Sequence, residues 1–330
     1  MPSARVNCRP VPVTERLSSS QARPSASSSG RSFLRSSAVR GLCWVTRNFH
    51  RLPGRWRLVR WLDRQEQVFA TLGLATVRFT RGYRARVDPA DENGRRIYVN
   101  GYQPQERLTR HFIRLLRPGD GVIDVGANVG YYTLVAARLV GPAGCVHAFE
   151  PSPRVLPLLR TNAALSPHAN IRVHGVAVTD RSGEITFHVA GPDRTGYSSI
   201  RDLGSDGQSV TLVRTVALDA LLDGLPPVRL VKIDVEGAEL LVLRGMEKLL
   251  ARDRPHLILE VDDGFLRELG AGARELCAFL WQRGYGLERI GARGALQPLQ
   301  HPPADRCNIL ARPPEDTGLS AVPPPVAHPS

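Results

Sequence analysis

Lysine, cysteine and aromatic residues are scarce in this chain, and long apolar runs are lacking. Lys232 and Lys248 are the only lysines among 44 basic residues in a chain of 330, an arginine bias that we attribute to a GC-rich coding sequence. The five cysteines lie far apart without a C-x-x-C pair, which argues against a zinc cluster or a disulfide scaffold and favours a reducing compartment. No uncharged apolar run approaches the roughly 18 residues of a membrane span. We therefore expect a globular protein without a transmembrane segment.

Positive charge is concentrated at the N-terminus. Residues 1–62 hold twelve arginines and one acid, a net charge of +11, whereas the other 268 residues hold 32 basic and 30 acidic groups, a net charge of +2. A protein that follows a phosphate backbone usually has a basic face on its folded domain. Aromatic residues make up 6% of the chain and form no base-stacking motif. We therefore expect no nucleic-acid partner.

Composition divides the chain into four segments. Residues 1–37 are rich in Ser, Arg and Pro and predict a disordered leader. Such a leader can be an organellar transit peptide, a flexible tail or the product of a start codon assigned too far upstream; otherwise we expect a cytoplasmic protein. Residues 38–100 predict helices with interleaved tryptophans and a small hairpin of TVRFTRGYRARVD with RRIYV. The helices are expected to pack on the domain, with weak membrane-surface contact as the alternative. Residues 101–312 form the main domain, and 313–330 a loose proline-rich tail.

The main domain alternates short apolar strands with helical segments. The predicted strands are 121–126, 145–150, 171–178, 228–235 and 256–261. The predicted helices between them lie near 130–140, 153–164, 238–251 and 272–283. This alternation predicts an α/β fold with a doubly wound, mostly parallel sheet. Between the third and fourth strands, EITFHVA and SVTLVRTVALDALL predict an antiparallel excursion and a short helix.

The turn after the first strand, Asp124-Val-Gly126-Ala-Asn128-Val-Gly130, indicates a cofactor site. Ligands of open α/β sheets bind outside the carboxyl ends of the strands, where glycine lets the backbone approach closely. The spacing differs from the G-x-G-x-x-G turn of nicotinamide enzymes, and Asp124 suits a cationic group. Glu150 ends the second strand at the offset where an acid meets ribose hydroxyls. S-adenosylmethionine, a nucleoside with a positive group and no phosphate chain, fits all three features. The alternative is that Asp124 and Glu150 only cap helices.

The fourth strand ends in acids that point to the reaction. Strand periodicity places Lys232, Asp234 and Glu236 on one side, at the crevice where a transferred group would lie. We predict Asp234 as the base or acceptor-orienting group and Glu236 as its partner. In one alternative, Asp234, Glu236 and Glu239 with Glu260 bind Mg²⁺, for which Asp234 and Glu260 are the leading ligands. In another, Glu236 and Glu239 only complement the N-terminus of the next helix.

DVGANVG, HAFEP and VKIDVEGAE together resemble the FkbM-type S-adenosylmethionine-dependent methyltransferase family. The resemblance extends from about Tyr102 to Leu310, and includes QERL, GVAVTDRSGEITF and the late GY and NIL. It implies a Rossmann-like class I methyltransferase fold and O-methylation of small molecules such as sugars and polyketides. It also implies that Glu106 lies near the methionine part of the cofactor and Ala177 near the adenine. The basic N-terminal extension departs from the compact family pattern.

We therefore expect an S-adenosylmethionine-dependent O-methyltransferase acting on a hydroxyl of a sugar, glycan or secondary metabolite. An NAD(P)-dependent oxidoreductase and a non-catalytic nucleoside-binding module are the alternatives. Mg²⁺ is possible but not predicted, and the sequence specifies neither the acceptor nor the oligomeric state, because acceptor pockets are built from loops without a readable code.

Overall fold

The computed structural model describes residues 30–49, 52–78, 84–101, 106–291 and 294–314. These residues fall into two compact units: a smaller one of residues 10–104 with 192–196, and a larger one that includes residues 105–191 and 197–330. Most of the predicted leader and tail lie outside the described residues. None of the helices in the described ranges is both long enough and apolar enough to cross a bilayer.

The smaller unit is mainly helical. Its elements are α1 (Gly30–Asn48), α2 (Arg55–Asp63), α3 (Glu66–Phe69), β1 (Ala75–Arg78), β2 (Arg84–Val87) and α4 (Glu92–Asn100). β1 and β2 pair antiparallel, from Ala75 opposite Val87 to Arg78 opposite Arg84. Its buried apolar residues include Cys43, Leu62, Phe69, Val87 and Ile97. Helix α1 begins at Gly30, before the predicted end of the leader at residue 37.

The prediction of RRIYV as a hairpin strand is wrong, because this segment belongs to α4. Asp91 precedes the helix with extended backbone, and its carboxylate accepts a hydrogen bond from the Gly94 amide at 2.8 Å, which is an N-cap. Gly101 ends the helix in the left-handed conformation, as C-terminal glycines commonly do. The capping residues on both sides outweigh the β-propensity of Ile97, Tyr98 and Val99.

The larger unit is built on one eight-stranded mixed sheet. Its strands are β3 (Gly121–Val125), β4 (Cys145–Phe149), β5 (Ile171–His174), β9 (Val228–Ile233), β10 (His256–Val261), β11 (Gly286–Ile290), β12 (Leu296–Pro298) and β13 (Cys307–Arg312). The spatial order is β12-β11-β13-β10-β9-β3-β4-β5. β5, β4, β3, β9 and β10 are parallel, and β13 is inserted antiparallel between β10 and β11. The strand order reverses between β3 and β9, which is where such sheets bind ligands. The predicted α/β fold with a mostly parallel sheet is confirmed.

Helices precede, connect and follow the parallel strands. They are α5 (Glu106–Leu115), α6 (Tyr131–Val140), α7 (Leu156–Ala163), α8 (Glu239–Arg244), α9 (Glu247–Asp253), α10 (Asp263–Glu268) and α11 (Ala273–Trp281). The single helix predicted over residues 238–251 is two helices that meet at Gly245 and Met246. A Cβ at Gly245 would clash with the backbone carbonyl of Thr179, so the chain passes too close for a larger residue there.

A separate three-stranded sheet contains the antiparallel excursion. Its strands are β6 (Ala177–Val178), β7 (Gly183–Ala190) and β8 (Gly207–Val216), in the order β6-β8-β7. β7 and β8 pair antiparallel, as predicted. The single strand predicted over residues 171–178 is wrong, because β5 ends at His174 and β6 pairs with β8 instead. Ala177 packs there with Phe187, Val189 and Val213. Burial of these side chains in a second apolar cluster favours the pairing of β6 with β8 over a longer β5 in the main sheet.

Candidate active site

The turn after β3 has a backbone that requires its glycines. Gly126, Asn128 and Gly130 have φ angles of 75°, 50° and 89°, the left-handed region in which glycine is favoured. A Cβ at Gly126 would clash with the backbone carbonyl of Asp234, and one at Gly130 would lie 2.8 Å from Leu159 Cδ1. The Asp234 amide also donates to the Val125 carbonyl at 3.1 Å. The turn and the segment after β9 are therefore in direct contact.

Glu150 is fixed to this turn by backbone hydrogen bonds. Its Oε2 accepts from the Asn128 amide at 2.9 Å, and its Oε1 accepts from the Ser152 amide at 2.8 Å. Burial raises the pKa of Glu150 to about 7, although both amides act to lower it. A carboxylate oxygen has two lone pairs, so each oxygen can accept one further hydrogen bond, such as one from a ribose hydroxyl.

Asp124 faces protein groups rather than an open crevice. It lies opposite Lys232 in the β3–β9 ladder, and the Lys232 ammonium is 3.7 Å from its Oδ1. Its Oδ2 accepts from the Thr133 hydroxyl at 2.6 Å. Burial raises the pKa of Asp124, and Lys232 offsets only part of that effect. Oδ1 is buried and accepts no hydrogen bond from any group in the described ranges.

Three carboxylates meet at the carboxyl ends of β9 and β10. Asp234, Glu236 and Glu260 can each present an oxygen within 4.8 Å of the others. The Arg306 guanidinium donates to Glu260 Oε2 at 2.6 Å and to Glu236 Oε1 at 3.1 Å. On the other side, the Lys232 ammonium donates to Asp234 Oδ2 at 3.1 Å. Each acid of the cluster thus contacts at least one cation.

These contacts separate the acidities of the three groups. Burial, followed by the charge of Asp234, raises the pKa of Glu236 to about 8 and that of Glu260 to about 7. Burial acts in the same direction on Asp234, but Lys232, Glu260 and Arg306 together outweigh it and hold the pKa of Asp234 below its usual value. The cluster therefore contains one acid that stays ionised and two that gain or lose a proton near neutral pH. Such pairs of acids with opposite shifts are typical of acid–base sites.

The backbone of Glu236 is strained and firmly held. Its φ angle is 53°, which is uncommon for a residue with a side chain. The Glu236 carbonyl accepts from the Ser199 hydroxyl at 3.1 Å and from Arg201 Nε at 3.0 Å. The guanidinium groups of Arg201 and Arg306 lie 3.8 Å and 5.4 Å from the ring centroid of Phe265. Strained residues that are held in this way cluster at functional sites.

Comparison with known proteins identifies the domain. Residues 124–287 match the model of the methyltransferase FkbM domain. The hexuronic acid methyltransferase AglP of Haloferax volcanii is 30% identical over 173 residues, which cover 51% of this chain and 67% of that protein. The chain belongs to the FkbM methyltransferase family. The predicted family is confirmed, and with it a domain that depends on S-adenosylmethionine, which replaces the alternative of a nicotinamide-dependent oxidoreductase.

Two further FkbM proteins show the extent of the likeness. The 31-O-demethyl-FK506 methyltransferase FkbM of Streptomyces tacrolimicus is 36% identical over 170 residues, 42% of this chain, and the match spans 63% of that relative's length. A solved methyltransferase FkbM from Methylobacillus flagellatus is 15% identical, with a TM-score of 0.38 over 78% of this chain and 60% of that chain. The match to the Streptomyces protein thus spans less than two thirds of its length.

Glu239 has a different environment from the acids of the cluster. Its Oε1 accepts from the amides of Val235 and Gly237, each at 3.2 Å, and burial raises its pKa to about 7. These hydrogen bonds hold the loop that leads into α8. Glu239 thus lies at the start of this helix, as in the alternative in which Glu236 and Glu239 only complement the helix N-terminus. Glu236 instead contacts Arg306. Among the described residues, the carboxylates close enough to share a cation do not include Glu239.

The structure says less about the other two predicted cofactor residues, Glu106 and Ala177. Glu106 begins α5, but its side chain lies outside the described residues. Ala177 is buried in β6, three residues beyond the end of β5. His147 and His174 stack in β4 and β5 with their ring nitrogens 3.1 Å apart, and burial lowers their pKa values to about 3 and about 4. They are therefore neutral core residues of the FkbM domain.

Sequence reasoning missed Arg306, Arg201 and Phe265. Arg306 is 70 positions from Glu236 and 46 from Glu260, and it is one of 42 arginines. Its only sequence signal is its position directly before the NIL-containing strand that pairs with β10.

Proposed function

We propose that this FkbM-family protein is an S-adenosylmethionine-dependent O-methyltransferase that modifies a hydroxyl group of a sugar, glycan or secondary metabolite. One observation carries the proposal: the cofactor turn at Gly126 touches the backbone of Asp234, which belongs to the acid cluster. A methyl donor bound at the turn would lie beside groups that can bind and deprotonate an alcohol. The hexuronic acid substrate in the name of the Haloferax relative supports a sugar-like acceptor.

The cofactor half of the site would hold the nucleoside. Glu150 has one acceptor position left on each oxygen and would bind the two ribose hydroxyls. Gly126, Asn128 and Gly130 would let the backbone approach the ligand, with Ala177 near the adenine and Glu106 near the methionine part. Asp124 would act on the cationic part of the cofactor through its charge, which Lys232 balances in part.

Bound S-adenosylmethionine supplies an electrophilic methyl group. An alcohol becomes a competent nucleophile when a carboxylate accepts its proton or a strong hydrogen bond from it. Asp234 stays ionised beside Lys232, so it would accept the hydrogen bond of the acceptor hydroxyl, orient its oxygen and take its proton as the oxygen bonds to the methyl group. An ionised Glu236, with a carboxylate oxygen within 4.8 Å of one of Asp234, would then receive this proton from Asp234, and Arg306 would stabilise Glu236 in its ionised form before the transfer.

The contacts of Arg306 also argue against a role for a metal ion in the reaction. Its guanidinium already contacts Glu236 and Glu260, and the Lys232 ammonium contacts Asp234, so these two side chains supply the positive charge that Mg²⁺ would bring to Asp234 and Glu260. We therefore propose a reaction that runs without a divalent ion.

Titration calorimetry tests the proposal directly. The full chain is titrated with S-adenosylmethionine, with its demethylated product and with NADH, and is then incubated with S-adenosylmethionine and a panel of uronic acids, neutral sugars and polyketide alcohols. We expect the first two ligands to bind, NADH not to bind, and at least one acceptor to gain a methyl group by mass spectrometry. Binding without methylation of any hydroxyl would favour a non-catalytic nucleoside-binding module, and binding of NADH alone would overturn the proposal.

A further inference from the structure

The outward face of α2 consists of tryptophan and arginine alone. At about 100° per residue, Trp56, Arg57, Arg60 and Trp61 lie on one side of this helix and are exposed, whereas Leu62 lies opposite and is buried. Trp56 and Trp61 are 57% and 47% exposed. Soluble domains seldom leave large aromatic rings together in water without a use for them.

The end of α1 continues this face. Arg55 Nε donates to the Thr46 carbonyl at 2.9 Å, which joins the two helices near their connecting turn. Trp44 and Phe49 are 55% and 51% exposed and contact each other edge to face, with ring centroids 5.8 Å apart. The aromatic–arginine surface, as we name it, comprises Trp44, Phe49, Trp56, Arg57, Arg60 and Trp61.

Charge around this surface has one sign. Residues 36–65 hold seven arginines and one acid, Asp63, a net charge of +6. Asp63 is half-buried, and its charge is already included in this net value. The 265 residues after position 65 carry a net charge of only +2. An anionic partner is therefore attracted to this helix pair far more strongly than to the methyltransferase domain.

We propose that the aromatic–arginine surface binds the interface of an anionic phospholipid membrane. Tryptophan is enriched at membrane–water interfaces, where its ring and N–H match the mixed environment. Arginines close to the surface attract anionic headgroups. An apolar–cationic helix of this kind lies in the plane of the interface, and exposed aromatic rings would enter the headgroup region while Arg57 and Arg60 contact phosphate.

Two other occupants fit the surface less well. Nucleic-acid bases stack on aromatic rings with a free face, but the guanidinium groups of Arg57 and Arg60 already lie 5.3 Å and 5.1 Å from the ring centroid of Trp56. A second copy of the chain in a two-fold contact would bring the same arginines together, with Asp63 as the one acid of residues 36–65 to oppose them.

Vesicle binding tests the proposal on the full chain without substrate, so the result is independent of methyl transfer. The chain is sedimented with phosphatidylcholine vesicles and with vesicles that contain about one third phosphatidylglycerol, a strongly anionic surface. Three of the four tryptophans belong to the aromatic–arginine surface, and the fourth is Trp281. Tryptophan emission should therefore shift to shorter wavelength on the anionic vesicles.

Matched variants distinguish binding by this surface from binding through any exposed arginine or apolar residue. R57Q/R60Q should lower the partition coefficient about thirtyfold, since each surface arginine contributes about a fivefold factor, and W56A/W61A should abolish the shift. R244Q/R274Q, which removes two exposed arginines of the larger unit, and V210A/L212A, which removes exposed apolar residues of β8, should bind like the wild type. All variants change exposed residues, and circular dichroism checks their folding.

The proposal is overturned if the chain ignores anionic vesicles, binds neutral vesicles equally, or loses binding equally in the control variants. It is also overturned if the surface variants lose binding to RNA or to an acidic protein while the wild type does not bind lipid.

Discussion

The two halves of the candidate active site hold their carboxylates in different ways. At the end of β4, each oxygen of Glu150 is bound by a backbone amide. At the ends of β9 and β10, Glu236 and Glu260 lie beside Asp234 and share the side chain of Arg306. Backbone amides fix an acid in position, whereas a crowded group of acids with a shared cation can exchange protons. The first arrangement suits binding and the second suits reaction.

Asp234 shows the difference between the two halves most clearly, because it stays ionised beside Lys232. Replacement by Asn keeps the size of the side chain but removes the charge that would orient the acceptor hydroxyl. We expect D234N to lower kcat by about 10²- to 10⁴-fold, the usual contribution of a positioned acid–base group, with little change in affinity for S-adenosylmethionine. D206N, at an exposed acid of the larger unit, is the control. An unchanged kcat in D234N would remove Asp234 from the reacting half.

The contact between the halves can be broken at Gly126. An alanine Cβ there would clash with the Asp234 carbonyl in a left-handed backbone. We expect G126A to lower the free energy of unfolding by more than about 3 kcal/mol or to abolish cofactor binding. G54A is the matched control, because Gly54 is left-handed, with φ 73° and ψ 3°, and has nothing within 4 Å of its Cβ position, so only the backbone cost of about 1–2 kcal/mol remains. Equal losses in urea unfolding of the two variants would contradict the close contact.

The binding half can be weakened alone at Glu150. E150Q replaces one carboxylate oxygen by an NH₂ group that faces a backbone amide or a ribose hydroxyl. We expect the affinity for S-adenosylmethionine to fall about 10- to 100-fold, as for lost hydrogen bonds to a charged group, while kcat at saturating cofactor changes little. E184Q, at an exposed position of β7, controls for charge. A loss of kcat without a loss of affinity would reverse the two assignments.

Sequence was informative where one local pattern determines the structure. The apolar runs of β3, β4, β9 and β10 predicted the parallel strands, and the Gly-x-Asn-x-Gly spacing predicted a turn whose backbone does need glycine. Sheet geometry then placed Glu150 and Asp234 at one edge, because the carboxyl ends of parallel strands meet there.

Sequence was uninformative where distant segments meet. Arg306 reaches Glu236 and Glu260 only because β13 pairs antiparallel with β10, with Glu260 opposite Asn308. Arg306 is one of 42 arginines, and no pattern in the neighbouring residues predicts its contact with the two glutamates. RRIYV was misassigned for a related reason: the Asp91 cap and Gly101 decide the conformation from outside the segment.

The acids at the ends of β9 and β10 can exchange protons, which predicts that both kcat and stability depend on pH. Because Glu236 must be ionised to accept a proton and its pKa is raised to about 8, kcat should rise with pH up to about 8, and E236Q should lose this limb. The folded state also binds the Glu236 proton more tightly than the unfolded state. Stability should therefore fall, by a few kcal/mol at most, as pH rises from about 4.5 to 8. Unfolding of wild type and E236Q at several pH values measures this, and parallel pH profiles would refute it.

The smallest expected effect concerns divalent ions. Since Arg306 contacts two of the three clustered carboxylates, EDTA or added Mg²⁺ should change wild-type kcat by less than about twofold, unlike enzymes in which a metal activates the nucleophile. R306A leaves the same carboxylates without this cation, so Mg²⁺ should raise the melting temperature of R306A but not that of the wild type. Loss of wild-type activity in EDTA and its recovery with Mg²⁺ would instead make Asp234 and Glu260 metal ligands, and the reacting half would then depend on an ion rather than on a guanidinium.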